Sequence, residues 1–286
     1  MSVDGVDTLM LSAEYSSLKK LFVECRAAFK ANREAQEDLV AYNNADHSHE
    51  YTVLKGFVPA SIVGNPSAGG GVPYQRADTF FTDFAMHHPE SCVLSASQDS
   101  YIIGNQACYD VRLYSAQWDP SGKDRSSAAG MSFFHFMVIP KRRVYNAVCL
   151  EDPIILEEMQ SHFSKFWESP GAYEKCMDRL TSATESRASA IRESLRQDQS
   201  RLATFDSLMQ DVRTFKEECS AKLRQLCLDD FVFGVHPAPH ASVGHLHMHV
   251  LVAQVAFRRW STSVHDWKTV PVKAVVEAIA EEKKGG

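Results

Sequence analysis

The stretch GHLHMHVLV, residues 244–252, sets three histidines at every second position among apolar residues. Histidine accounts for 12 of the 286 residues, so three within five positions require a physical reason. Side chains at i, i+2 and i+4 of a β-strand project to one face. The pattern therefore predicts a strand that begins at His245 and carries the three imidazoles on one face, about 6.5–7 Å apart. The alternate residues, Leu246, Met248 and Val250, are expected to face a core.

Three kinds of chemistry fit three imidazoles on one strand face. They could form an exposed polar surface without a function. Two of them could share a zinc or copper ion, with a third ligand from His236, His240 or an acidic residue. Alternatively, one neutral imidazole could attack phosphorus, because a hydrogen bond from its far ring nitrogen fixes the tautomer with a nucleophilic second nitrogen. The spacing alone leaves all three open.

Charge and cysteine content narrow the class of protein. The formal net charge of −6 argues against nucleic acid as a partner and against an anionic membrane surface. The seven cysteines are odd in number and form no C-x-x-C motif, which argues against a disulfide framework and a thiolate zinc site. The first residues are acidic where a signal peptide would be basic, and no apolar run is long enough for a membrane span. These features predict a location in the cytoplasm, with the nucleus as the alternative.

The remaining patterning predicts a mixed α and β chain. One helix is expected over 12–44, and a glycine-rich loop at 64–74 lacks the G-K-[ST] ending of a phosphate-binding loop. Asp152 and Pro153 predict a helix start. Strands are expected at 108–118, 131–140 and 229–236, with a loop at 119–130 between the first two of them. A C-terminal amphipathic helix is expected from Thr269 onward.

Residues 172–228 are the most helical part of the sequence. Apolar residues recur there at alternating spacings of three and four, and Asp198 and Lys216 occupy two positions of this seam. The spacing predicts a long helical hairpin or a short coiled-coil arm, which could mediate a homodimer. A helix packed against its own domain is the alternative.

A second motif lies upstream of the histidine run, and together the two motifs resemble those of a known superfamily. The segment HFMVIPK, His135 to Lys141, resembles the HFLVIPK strand that precedes the triad in the Hint branch of the histidine triad superfamily. The run at 245–251 is similar to that superfamily's H-φ-H-φ-H-φ-φ signature. The resemblance implies an α+β fold with a mostly antiparallel sheet and packed helices. The division expected from it is an N-terminal extension over 1–100 and a histidine-triad-like domain over 101–286, interrupted by the helical arm.

The resemblance also implies roles for individual residues. The middle histidine, His247, would attack an α-phosphorus and form a nucleotidyl-histidine intermediate. His245 and His249 would orient the site and contact phosphate. Ser242 stands where members of the superfamily place a serine that contacts phosphate, and His135 aligns with a histidine near the same pocket, with a buried structural histidine as the alternative.

Further phosphate contacts are implied by a likeness to aprataxin-like members. The approach GVHPAPHAS would make His236 such a contact, and the segment SVHDWKT adds His265 and Lys268. No metal and no cofactor are implied. The expected partner is a small nucleotide or another phosphorylated molecule, and the expected activity is that of a nucleotide hydrolase or nucleotidyl transferase.

The sequence also departs from the superfamily. The HPAPHAS loop replaces the usual Asn-x-Gly and A-G-Q-S segments, and Arg143 stands where a histidine is usual. Two alternatives therefore stay open. The fold could serve other chemistry, with the histidines as acids and bases or as metal ligands, or the site could be vestigial in a binding protein.

Overall fold

Six antiparallel strands form one sheet in the computed structural model, which describes residues 13–65, 71–109, 130–259 and 261–285. In chain order the strands are β1 Val93–Ala96, β2 Ser100–Gly104, β3 His135–Pro140, β4 Phe231–Val235, β5 Met248–Val252 and β6 Val270–Pro271. Their order across the sheet is β1-β2-β3-β5-β4-β6. The α+β class is therefore confirmed, and so are strands within 131–140 and 229–236. The strand predicted at 108–118 and the loop at 119–130 lie almost entirely outside the described residues.

Eight α-helices accompany the sheet within these ranges. They are α1 Ala13–Ala31, α2 Arg33–Asn43, α3 Phe84–His87, α4 Ile154–Trp167, α5 Ala172–Ser194, α6 Gln199–Leu223, α7 Val255–Arg258 and α8 Val272–Gly285. No helix in the described part of the chain combines the length and the apolar character that crossing a bilayer requires.

Two helix boundaries show how local chemistry sets the elements. The single helix predicted over 12–44 is wrong, because Asn32 is extended and its side chain accepts a hydrogen bond from the Ala35 amide, which starts a second helix there. At α4 the prediction holds, since the Asp152 carboxylate accepts the Ile154 amide at 3.1 Å beside Pro153.

The two faces of the sheet carry different contents. Residues directly opposite each other on neighbouring strands share a face. Phe136 lies opposite Val250, and both belong to the large core that the long helices cover. Met137 lies opposite His249, so the histidine face of β5 continues onto β3. Leu246, Met248 and Val250 are at most 1% exposed, as the alternation predicts.

The predicted start of the histidine strand is wrong. β5 begins at Met248, and His245 and His247 lie in the irregular segment before it. The Leu246 amide bonds to the Val144 carbonyl at 2.7 Å, so this residue is held by a neighbouring loop and not by a strand ladder.

Helices α5 and α6 form an antiparallel hairpin. The Tyr173 hydroxyl donates to the Ser220 carbonyl near one end, and Arg192 pairs with Asp206 near the other. Beside the seam position of Lys216, Phe215 packs on the rest of the chain, where it meets Phe133 edge-on at a centroid distance of 4.9 Å. The hairpin therefore covers its own chain; a homodimer stays a prediction.

Residues before 100 share elements with the rest of the chain. β1 belongs to the common sheet, and α1 pairs with α8, where Arg26 and Glu282 form a salt bridge of 2.8 Å. How the chain divides into domains stays a prediction.

Candidate active site

Four buried histidines from three parts of the chain meet on the histidine face of the sheet. The ring of His249 lies at the centre, with centroid distances of 4.2 Å to His236, 4.8 Å to His247 and 5.0 Å to His135. These four side chains are 3–6% exposed. The predicted site residues His135, His236, His247 and His249 are thus brought together, and the interpretation as an exposed polar face is wrong.

The tautomer of His247 follows from one contact. Its Nδ1 lies 2.7 Å from the carbonyl oxygen of His245, and because a carbonyl only accepts, Nδ1 carries the proton. Burial, together with the positive charge of Lys268, lowers the pKa of His247 to about 4, so the ring is neutral near pH 7. The lone pair is therefore on Nε2, which has no hydrogen-bond partner among the described residues.

His245 lies behind the cluster. Its Nε2 donates to the Pro140 carbonyl at 3.0 Å, and its Nδ1 accepts from the Tyr42 hydroxyl at 3.0 Å. The ring is fully buried, and burial lowers its pKa to about 4. Both nitrogens are occupied, so the phosphate contact expected of His245 is a misassignment. This residue positions the backbone carbonyl that holds His247.

One ring nitrogen of His249 is without a partner among the described residues. Its Nδ1 lies 2.8 Å from Nε2 of His135, while its own Nε2 is buried without a hydrogen-bond partner in the described residues. Burial lowers the pKa of His135 to about 3 and that of His249 well below its usual range. Both rings are neutral, and a buried polar atom without a partner is rare in proteins.

The orientation and tautomer of His236 follow from its contact with Thr269. Its Nε2 lies 3.0 Å from the Thr269 hydroxyl, whose own hydrogen faces the His265 carbonyl at 2.8 Å. His236 is therefore the donor to Thr269, and its Nδ1 keeps the lone pair. The ring of His265 stands further out, 5.9 Å from that of His236.

Lys268 supplies positive charge beside neutral rings. Its ammonium donates to the His240 carbonyl at 2.8 Å, and its charge contributes to the lowered pKa of both His236 and His247. Burial in turn lowers the pKa of Lys268. The charge of Lys268 therefore acts on two rings of the cluster, while its role as a phosphate contact stays a prediction.

The predicted site residue Ser242 stands apart from the cluster, as does Lys141. Ser242 is exposed, and no contact joins it to the histidines within the described residues. Lys141, at the end of the HFMVIPK segment, donates to the Ser97 carbonyl and lies over the ring of Tyr101.

A segment that no sequence motif marks, residues 77–84, covers the histidine face of the sheet. Phe81 stands edge-on to His247 at a centroid distance of 4.9 Å and packs with Phe84 against Met137. Arg143 fastens this cover, because its guanidinium bonds to Asp78 at 3.0 Å and to the Ala77 carbonyl at 2.9 Å. The same guanidinium donates to the Tyr42 carbonyl and lies over that ring. This explains physically why an arginine stands at position 143.

The HPAPHAS loop before the histidine run is held in place by the side-chain amide of Asn146. The Asn146 side chain donates to the His236 carbonyl at 3.0 Å and accepts from the Ala238 amide at 2.9 Å. Further along, the backbones of Gly56 and Gly244 meet so closely that a Cβ on Gly56 would lie 2.1 Å from the Gly244 nitrogen. The course of the backbone that leads to His245 is therefore determined by contact with the N-terminal part of the chain.

In the described residues, no three His, Cys, Asp or Glu side chains are arranged so that they could hold a metal ion. Comparisons of the chain with protein-family models, curated proteins and solved structures find no match. The resemblance to the histidine triad superfamily therefore rests on the motif residues.

Proposed function

We propose that the protein is a nucleotide hydrolase or nucleotidyl transferase that resembles the histidine triad superfamily and acts at an α-phosphate through His247. The observation that carries this proposal is the 2.7 Å bond from Nδ1 of His247 to the His245 carbonyl. It holds the one tautomer whose Nε2 lone pair can attack phosphorus. A lowered pKa supports the same role, since a protonated ring has no lone pair to give.

The arrangement around His247 supports phosphate as the ligand. His249 offers a buried Nε2–H whose partner is missing among the described residues, and a phosphate oxygen is a strong acceptor for it. Lys268 adds a positive charge without forming an ion pair in the described residues. A donor and a cation beside a nucleophile are the elements that stabilise charge on a transferring phosphoryl group.

The reaction follows in two steps. In the first, Nε2 of His247 gives its electron pair to phosphorus, a P–N bond forms, and the bond to the leaving group breaks. The leaving group departs with that electron pair and takes up one proton. In the second, water or another acceptor attacks phosphorus, the P–N bond returns its electrons to Nε2, and the acceptor loses a proton. Nδ1 keeps its proton on the His245 carbonyl throughout.

The test measures turnover of an adenosine phosphoramidate and of a dinucleoside polyphosphate by the full chain. His247→Ala is expected to abolish turnover, because the nucleophile is removed. His47→Ala is the matched control, since His47 is an exposed histidine outside the cluster, and it is expected to keep wild-type turnover. Equal turnover by the two variants, or none by the wild-type chain with either substrate, refutes the proposal.

A further inference from the structure

Asn105, which follows directly after β2, contacts the ring of His135 in the histidine cluster. We propose that Asn105 is a positioning residue that, through His135, sets the tautomer of His249 so that its buried Nε2 is a hydrogen-bond donor to an anionic ligand. The ligand part of this inference rests on the proposed function, whereas the tautomer part stands on the contacts themselves.

The orientation of the Asn105 amide is fixed by its neighbours. Its Oδ1 accepts the Ala107 amide at 3.0 Å, at the start of the short 3-10 helix Gln106–Tyr109. A flipped amide would set its NH₂ group against that backbone donor. The NH₂ group therefore faces His135, with Nδ2 at 3.1 Å from the ring Nδ1.

Two donors then converge on one nitrogen of His135. The Met131 amide also points at Nδ1, at 3.4 Å. Since Nδ1 accepts from both, the single proton of neutral His135 is on Nε2. That proton is donated to Nδ1 of His249 at 2.8 Å.

The last step places a donor in the site. Because Nδ1 of His249 accepts, the proton of this neutral ring is on Nε2, the buried atom without a partner in the described residues. A side-chain carbonyl or carboxylate at position 105 facing His135 would send each proton to the other nitrogen. The proton on Nε2 of His249 requires a ligand with an acceptor oxygen, such as phosphate. The side-chain amide of Asn105, acting through His135, therefore determines this chemical class of ligand.

Asn105→Asp tests this relay with almost no change in shape. One carboxylate oxygen can still cap Ala107, while the other only accepts. An Nδ1–H on neutral His135 then donates to a charged oxygen, which outweighs the long 3.4 Å contact from the Met131 amide. His135 is therefore expected to carry its proton on Nδ1 and His249 to donate from Nδ1, which leaves a lone pair on Nε2 of His249. Binding of inorganic phosphate is expected to weaken about tenfold to a hundredfold, because a donor to a charged oxygen is replaced by an acceptor.

Ring ¹⁵N NMR of histidine-labelled protein reads the tautomers directly. The wild-type chain is expected to show the proton of His249 on Nε2, and Asn105→Asp to show it on Nδ1. The new carboxylate also raises the pKa of His135, against burial, which lowers it most, and against the smaller opposing influence of His247, His265 and Arg258. As the pH falls through that raised pKa, His135 regains its Nε2–H, so phosphate binding by the variant is expected to approach the wild-type value.

Asn32→Asp is the matched control, because the Asn32 side chain only accepts, from Ala35. It is expected to leave both tautomers and phosphate binding unchanged. If His249 of the wild-type chain carries its proton on Nδ1, the inference is overturned, even if Asn105→Asp fails to fold. Wild-type tautomers in a folded Asn105→Asp also overturn it. Failure of the wild-type chain to bind phosphate counts against the proposed function and the ligand part of the inference, while the NMR result still decides the role of Asn105.

Discussion

Replacing Gly244 with alanine is expected to destabilise the fold and to displace the nucleophile together. A Cβ at this position would lie 2.0 Å from the carbonyl oxygen of Lys55 and 2.4 Å from Cε2 of Tyr145. Real Cβ contacts are essentially never shorter than 3.0 Å, so the two backbones must separate by at least about 1 Å. The Lys55 amide is itself bonded to the Tyr145 hydroxyl at 2.9 Å, so neither neighbour yields without losing a contact.

Two magnitudes follow from this displacement. Overpacking of this kind costs about 1–3 kcal/mol, so the free energy of unfolding in urea is expected to fall by that amount. Gly244 precedes His245, whose carbonyl holds His247, and a misplacement of about 1 Å can cost about a hundredfold in rate. Turnover is therefore expected to fall by about that factor.

Gly285→Ala is the control, because a Cβ on Gly285 meets nothing within 4 Å. Both measurements use the full chain, with stability from urea unfolding and rate from turnover of the adenosine phosphoramidate. If Gly244→Ala matches Gly285→Ala in both, backbone contact at Gly244 does not position the histidines, and the reasoning is refuted.

Tyr42→Phe removes the donor to buried His245, so the free energy of unfolding is expected to drop by about 1–3 kcal/mol, and an unchanged value contradicts the bond. Phe215→Ala is expected to cost about 3–5 kcal/mol because this ring packs on the same chain; a loss near zero indicates that α6 packs elsewhere, as between two copies. Burial lowers the pKa of His245 and of His247 to about 4, so each contributes stability that is complete above pH ~6.5 and is lost as the pH falls through about 4. Urea unfolding across this range is expected to show a loss of about 1.4 kcal/mol per pH unit for each ring, and a flat profile would falsify their burial as neutral groups.

Local patterns predicted the elements that local chemistry determines. The alternation around Met248 and Val250 gave one buried face correctly, because side-chain direction in a strand depends only on the backbone. The start of α4 followed from the capping chemistry of Asp152. The start of β5 did not, because a long-range backbone bond to the Val144 carbonyl and close contact at Gly244 hold the chain out of the strand ladder.

The centre of the candidate site could be predicted, but its supports could not. Tyr42 reaches His245 across 203 positions of sequence, and no periodicity in α2 marks one tyrosine hydroxyl for that role. Phe81 and Asn105 carry no motif, and they matter only once the sheet register brings β3 beside β5. Arg143 departs from the superfamily's pattern at a position where a histidine is usual, and this departure is a signal in the sequence for the contacts that Arg143 makes to Asp78 and Ala77.

The most direct measurement is peptide mapping of the chain after brief reaction with the adenosine phosphoramidate and quenching in alkali, where a P–N bond to imidazole survives. The account predicts a nucleotidyl group on the peptide that contains His247, located on that residue by fragmentation and absent in His247→Ala. Turnover with no such adduct, or an adduct on another histidine of the cluster, contradicts the assignment of His247 as the nucleophile.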